Sequence, residues 1–362
     1  MIEVESMQLA RLLELHQVSS YEGLNCIETQ LRKKGFWLMF YGYVHSQLQN
    51  LRKERLTFLD PPILNHLNLE DLMPLEVDDE FISSRLVLPQ PVTTLSLTTG
   101  FNIASRIFWA ALTSVAPRDS PAMNHQHCDC VRSRNPVLQY THLQGRLHHL
   151  KYMLDEGLPT QLRQWSTGSS DEAGESEQSK LARAQSESMR ANIHVTHLWL
   201  QSILADQIDT IRQSESGRDD AIPAPDVTVL WREREDLCRQ LLHVLHSIDG
   251  VHLEPNGHHL VCKVRDVAVS LLGCPFDSQG DVSKRATEYL LEFTNILSRL
   301  DGSEKMNTLS LQSWVDTDRN APYGKNRCVQ ALRRDHGASS STRHNAIFVT
   351  TRPPDPSSGE IG

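Results

Sequence analysis

The stretch MRANIHVTHLWLQSILADQIDTI, residues 189–211, sets the fold class of this chain. Its apolar side chains recur every three or four residues, which is the spacing that places them on one face of an α-helix. This apolar stripe comprises Met189, Ile193, Leu200, Leu204, Ile208 and Ile211. The spacing therefore predicts a long amphipathic helix over this stretch.

The same spacing recurs along most of the chain. It is found over residues 37–51, 97–115, 143–154, 237–248, 260–271 and 286–300. No window of comparable length alternates apolar and polar residues with the two-residue period of a β-strand. The sequence therefore predicts an all-α, multi-helix protein.

Composition and charge exclude several classes of protein. The 362 residues include 36 Lys and Arg against 45 Asp and Glu, which is a net charge of −9 with histidine neutral. This balance argues against a general polyanion binder, because affinity for a phosphate backbone depends on a basic surface. The seven cysteines are scattered and do not form a disulfide scaffold. The most apolar run, residues 36–44, is far shorter than the roughly 20 residues that cross a bilayer. We expect a soluble, intracellular protein.

Prolines and polar stretches mark the breaks between the predicted helices. Pro61 and Pro62 are predicted to end the first long helix, and later prolines mark an irregular segment before residue 97. A Ser- and Glu-rich stretch with few apolar side chains predicts a mobile linker. The expected organisation is an N-terminal helical part over 1–165, the linker over 166–180, a C-terminal helical part over 181–319 and a disordered tail over 336–362.

Four residues that zinc could bind lie close together after the predicted helix over 97–115. Cysteine and histidine are the donors that zinc prefers, and four of them can close a tetrahedral site. Adjacent ligands point in different directions, however, and structural zinc sites usually combine two separated pairs. Two interpretations stay open, a weak zinc site and an exposed or redox-active loop. The four residues are His125, His127, Cys128 and Cys130.

An acidic cluster, Asp78, Asp79 and Glu80, lies in the irregular segment. Clustered carboxylates can hold Mg²⁺ for diphosphate chemistry, as in all-α terpene synthases, so an Mg²⁺-dependent diphosphate lyase is an alternative function. Such an enzyme also needs an Asn…Ser/Thr…Glu array on a partner helix, which the sequence lacks. The other interpretation is a helix start, where acids lie at the positive end of the helix dipole.

Two histidine pairs have one-turn helical spacing, His194 with His197 and His243 with His246. Neither pair has a nearby Glu in a metalloprotease arrangement, so we expect these side chains to be hydrogen-bonded within the fold or exposed. The chain also lacks a Gly-rich phosphate loop, a Gly-x-Ser-x-Gly elbow and a Cys-x-x-Cys motif. It is therefore predicted not to be an enzyme and to have no catalytic residues.

Several stretches resemble a known family of regulatory domains. The basic-then-aromatic segment LRKKGFWLMF, residues 31–40, is similar to a helix in the regulatory (middle homology) domain of fungal zinc binuclear-cluster transcription factors. In that family a loop with proline and acids follows, and then a helix that opens with aromatic and small residues. The corresponding and further similar stretches here are 59–65, 73–82, 101–109, 143–165, 231–245, 263–275 and 299–314.

The resemblance covers roughly residues 5–319 and implies a nuclear transcription regulator. Such a domain would act through other transcription-factor subunits, co-regulators or a second copy of the chain, or through a small effector. In the family, DNA is contacted by an N-terminal module whose six clustered cysteines hold zinc. No positions here match those cysteines, so we expect DNA binding and zinc only through a segment absent from this sequence, and no cofactor in the chain itself.

Overall fold

The computed structural model describes residues 2–48, 59, 64, 67–92, 94–112, 135–163, 176–215, 226–277, 280–300 and 311, all within the unit Met1–Cys328. Over these residues the regular structure is helical, and the only extended pairing is an isolated bridge between Ile82 and Val87. The predicted all-α fold class is therefore confirmed. None of the helices in these ranges is both long enough and apolar enough to cross a membrane.

Helices of very different lengths make up this structure. The α-helices in the described ranges are α1 (Ile2–Leu12), α2 (Cys26–Leu48), α3 (Leu69–Leu72), α4 (Leu97–Leu112), α5 (Pro136–Gly157), α6 (Thr160–Arg163), α7 (Glu177–Glu215), α8 (Val227–Ser247), α9 (Gly250–Leu253), α10 (Gly257–Val269) and α11 (Asp281–Leu300). Each apolar stripe recognised in the sequence falls on one of the longer helices. Two stripes end just past their helices within the described ranges, at Ile248 and at Leu271, whereas residues 49–51 and 113–115 lie outside those ranges.

The start of α7 differs from the linker boundary expected from composition. The Oγ of Ser176 accepts a hydrogen bond from the amide of Ser179 at 3.2 Å, which satisfies a free amide at the helix start. Residues 177–180 therefore form the first turn of α7, although their composition is that of a linker. Residues 166–175 and the expected tail over 336–362 lie outside the described ranges.

The 39-residue helix α7 is the centre of the bundle. It packs against α4, α5, α6, α8, α9 and α10. From Arg190 to Ser202 nearly every side chain is buried, on all sides of the helix. A helix buried all round is surrounded by other elements, so the polar residues within this stretch must find hydrogen-bond partners inside the protein.

Helix α4 approaches α7 closely at Gly100. A Cβ atom on Gly100 would lie 1.6 Å from Sδ of Met189. The absence of a side chain therefore lets the Met189 side chain lie directly against the α4 backbone. The contact joins the N-terminal half of the bundle to its central helix.

Helix α2 buries an aromatic cluster at its middle. Phe36, Trp37 and Phe40 are fully buried, and the ring of Trp109 from α4 lies 5.4 Å from that of Phe40 and 6.3 Å from that of Trp37. The indole Nε1 of Trp37 donates a hydrogen bond to the main-chain oxygen of Leu72 at 3.0 Å. Buried indole groups need such a partner, so this bond holds the end of α3 against α2.

Candidate functional site

A cleft of about 600 Å³ opens between α5, α6, α7 and α8, and we call it the α5–α8 cleft. Its buried lining side chains are apolar or uncharged and form its inner part, whereas all of its charged lining side chains are exposed and form its mouth. The lining residues are Lys151, Leu154, Asp155, Leu158, Arg163, His194, His197, Leu198, Gln201, Arg239, Gln240, His243 and Val244. Its volume falls in the range typical of small-molecule sites, roughly 300–1,000 Å³.

His197 on α7 is a buried histidine at the inner end of the cleft. Its Nε2 lies 2.6 Å from the main-chain oxygen of Leu150, and its Nδ1 lies 3.1 Å from Nε2 of Gln201. Because a carbonyl oxygen only accepts, Nε2 of His197 carries the proton and Nδ1 accepts from the Gln201 amide. Burial lowers the pKa of His197 to about 4, although the bond to Leu150 acts in the opposite direction. The imidazole is therefore neutral at physiological pH.

His194 lies one turn earlier on the same face of α7. Its Nε2 lies 3.3 Å from the main-chain oxygen of Leu162 in α6, to which it donates. Burial lowers the pKa of His194 as well. The two histidines therefore act as neutral hydrogen-bond donors that join α7 to α5 and to α6, which agrees with the expectation that they are hydrogen-bonded within the fold.

The mouth of the cleft carries cationic side chains from three helices. Arg163 donates through Nη2 to the main-chain oxygens of Asp155 at 3.2 Å and Leu158 at 3.1 Å, so its guanidinium is held at the end of α5. Arg239 on α8 pairs with Asp236 of the same helix. Lys151 on α5 is exposed beside them. These groups give the mouth the chemistry of an anion-binding surface.

The two histidines of the second pair, His243 and His246, have different surroundings. His243 lines the cleft, whereas Nε2 of His246 lies 2.5 Å from Oε1 of Glu292 on α11. Among the described residues, no group of three or more His, Cys, Asp or Glu side chains is arranged to hold a metal ion. In addition, both ring nitrogens of His197 are engaged in hydrogen bonds. The one-turn spacing therefore reflects helix packing at this site.

The acidic cluster is divided among different structural tasks. Oδ1 of Asp78 accepts from the amide of Leu97 and from Oγ of Ser96, both at 2.9 Å, and so caps the start of α4. The carboxylate of Asp79 lies 2.6 Å from Nζ of Lys34 on α2. Asp78 thus does what the helix-start interpretation describes, although the helix that it caps begins 19 residues later.

The weak zinc candidates cannot be placed in this structure. His125, His127, Cys128 and Cys130 lie outside the described residues. The zinc and loop interpretations of that stretch therefore both stay predictions.

A second buried polar group lies on the opposite side of α7. Lys263 on α10 is 6% exposed, and its Nζ donates to Oγ1 of Thr196 at 2.7 Å. The same Nζ lies 5.5 Å from the ring centroid of Phe108 and 5.7 Å from that of Trp199. Burial lowers the pKa of Lys263 to about 8. The ring faces and the Thr196 hydroxyl compensate the ammonium for lost water, so Lys263 ties α10 to α7 and α4.

Sequence reasoning singled out three of the cleft residues, His194, His197 and His243, but none of its cations. Lys151, Arg163 and Arg239 are ordinary surface residues when each helix is considered alone. The available signal was the helical spacing of three polar residues of α7, His194, His197 and Gln201, which places them on one face of the predicted helix. Buried polar residues of this kind point to a neighbouring polar site.

The fold and the cleft define an all-α protein with a concave site that has an apolar interior and a cationic mouth. No family model, no curated protein and no solved structure matches this chain. A functional proposal therefore depends on the described residues and on the resemblance of the stretches around α2 and α4.

Proposed function

We propose that this chain is a non-enzymatic transcription regulator of the fungal zinc-cluster type, represented by its helical regulatory domain. The observation that supports this proposal is a spatial one. The stretches that carry the resemblance in α2, in the described loop over 73–82 and at the start of α4 come together in one hydrogen-bonded assembly. They are separated in sequence by up to about 70 residues, which means that the resemblance traces a contiguous part of the fold.

Basic residues of α2 hold one side of this assembly. Nζ of Lys33 donates to the main-chain oxygen of Met73 at 3.2 Å, and Lys34 pairs with Asp79. Between these contacts, Oε1 of Gln30 accepts from the amide of Leu75 at 2.8 Å. The basic residues of the LRKKGFW segment therefore position the loop.

Helix α4 holds the other side. Nδ2 of Asn102 donates to the main-chain oxygen of Pro74 at 2.9 Å, and Asp78 caps the helix start. Beneath the loop lies the aromatic cluster of α2. The residues typical of the family thus have structural roles that depend on one another, as expected for a regulatory domain whose characteristic residues maintain a fold and do not perform chemistry.

In this proposal the domain acts in the nucleus through contacts with co-regulators or other transcription-factor subunits. The α5–α8 cleft offers a place where a small effector could bias those contacts. A ligand shifts such an equilibrium only through different affinities for the two states, so the cleft must change shape or hydration when the domain changes partner.

The test is a reporter assay with the full chain fused to a heterologous DNA-binding domain in a fungal host. We expect nuclear accumulation of the tagged chain and a change in reporter expression relative to the DNA-binding domain alone. Trp37→Ala should abolish the change, because truncating a buried tryptophan costs about 3–5 kcal/mol. Tyr152→Ala, which removes an exposed aromatic side chain, is the matched control. A tagged chain that stays in the cytoplasm and leaves the reporter unchanged would overturn the proposal.

A further inference from the structure

The α5–α8 cleft is locally positive in a chain whose net charge is −9. Of the described residues that line it, Lys151, Arg163 and Arg239 are cationic and Asp155 is anionic, which gives 3 − 1 = +2 with histidine neutral. Asp236 does not line the cleft but pairs with Arg239, and counting its charge as well lowers the local net charge from +2 to 2 − 1 = +1. The positive charge lies in the concave part of the surface, where it attracts small anions more strongly than it would on a flat surface.

We propose that the α5–α8 cleft binds a small organic anion, a carboxylate or phosphate group attached to an apolar body. The claim that this ligand is the effector of a regulator rests on the function proposed above. The binding itself rests only on the cleft. Its apolar lining consists of Leu154, Leu158, Leu198 and Val244.

The charged end of the ligand is placed at the mouth. Transfer of an anion to the inner part would desolvate it against apolar side chains, which costs several kcal/mol unless a cation accompanies it. Arg163 is suited to receive the anion, because two main-chain oxygens already hold its Nη2. Its Nε and Nη1 donors lie outside those two bonds. A guanidinium that is positioned beforehand loses less entropy on binding.

The apolar end of the ligand is placed against the inner wall. There Leu158, Leu198 and Val244 are buried, and the neutral His197 directs both ring nitrogens to protein partners. Because His197 is already hydrogen-bonded to protein partners, this part of the wall does not require a polar atom from the ligand and favours hydrocarbon over further charge.

A polyanion is a poorer fit than a small anion. Nucleic acids need a row of cations that follows a phosphate backbone, and their affinity falls when acidic residues surround the contact. The cations here converge on one cleft of about 600 Å³ in an acidic chain. Their arrangement therefore favours one anionic group per site.

The test is a titration of the purified full chain with three probes, followed by isothermal calorimetry. Octanoate carries both an anionic group and an apolar body, octanol carries only the apolar body, and inorganic phosphate carries only the anionic group. The variant Lys151→Gln removes one exposed cation from the mouth. Lys284→Gln makes the same charge change on an exposed face of α11 and is the matched control.

We expect octanoate to bind more tightly than octanol or phosphate. Lys151→Gln should raise the Kd for octanoate about fivefold, as expected for the loss of one partly exposed ionic contact, whereas Lys284→Gln should leave it unchanged. Equal binding of octanoate and octanol would overturn the anionic part of the assignment, and equal binding of octanoate and phosphate would overturn the apolar part. If the two lysine variants changed the Kd for octanoate equally, octanoate would not bind in the cleft.

The outcomes separate this inference from the function on which its biological role rests. If octanoate binds as expected but the fusion leaves the reporter unchanged, the cleft is an anion site in a protein of another function. If the reporter responds but none of the three probes binds, the regulator acts through protein contacts and the ligand assignment is wrong.

Discussion

Acidification should destabilise this protein through His197, and replacing His197 by Gln should remove that effect. Burial lowers the pKa of His197 from the ordinary value of 6.5 to about 4. The unfolded chain therefore takes up a proton on this residue at higher pH than the folded chain does. The stabilisation from holding His197 neutral is complete above about pH 6.5 and is lost as the pH falls towards about 4.

The size of the effect follows from these two pKa values. Between about pH 7.5 and about pH 5, proton uptake by the unfolded state removes about 2 kcal/mol of stability. His197→Gln eliminates the titrating group while keeping an amide donor for the main-chain oxygen of Leu150. At neutral pH the variant should lose some packing, because Gln does not fill the space of the ring, but that loss does not depend on pH.

Urea unfolding of wild type and His197→Gln at the two pH values measures the effect. The free energy of unfolding of wild type minus that of the variant should fall by about 2 kcal/mol from about pH 7.5 to about pH 5. A difference measurement is required because other groups titrate in the same range. A constant difference between the two proteins would refute the reasoning, since it would mean that His197 has the same pKa in the folded and unfolded chains.

The remaining predictions concern stability, and urea unfolding checks each of them. Burial raises the pKa of Asp209 from 3.8 to about 6 despite its ion pair with Arg234. The protonated carboxyl of Asp209 therefore contributes its full stabilisation below about pH 3.8 and loses it as the pH rises through about 6. When the pH falls from about 7.5 to about 5, the free energy of unfolding of wild type minus that of Asp209→Asn should rise by about 1 kcal/mol. This change is opposite in sign to the one expected for His197. Gly100→Ala should cost about 1 kcal/mol, because overpacking against Met189 exceeds the gain in helix propensity. The double variant with Met189→Ala should cost less than the sum of the two single changes, and strict additivity would contradict the contact. Asp78→Ala should cost about 1 kcal/mol through the lost cap of α4. Asp79→Asn, which breaks an exposed ion pair, should cost less, and a reversed order of these two variants would show that the cap is not what matters.

The helices could be predicted from the sequence because helical periodicity is a local property. The stripe over 189–211 lies within α7, and that over 286–300 lies within α11. The one described boundary that differs is the start of α7, where composition was the only guide. Residues 177–180 have the composition of a linker but form a helical turn, because Ser176 caps it.

The helix that the acidic cluster caps could not be predicted from neighbouring residues in the sequence. A helix-start function was one of the two interpretations, and Asp78 does cap a helix. The capped residue, however, is Leu97, and Gln90 also donates to the Asp78 carboxylate at 2.9 Å. No spacing rule links an acid to a helix start so far along the chain, because the path of the intervening loop brings them together.

The sequence by itself determined that the chain is all-α and which face of each long helix is apolar, since those properties repeat every turn. Only the tertiary structure decided which helices surround α7, that Lys151, Arg163 and Arg239 meet at one cleft, and that His197 is neutral between Leu150 and Gln201. The physical reason is that a binding cleft and a shifted pKa arise from side chains that are distant in sequence. Their meeting depends on the angles at which the helices pack, and those angles are set by the shapes of many side chains at once.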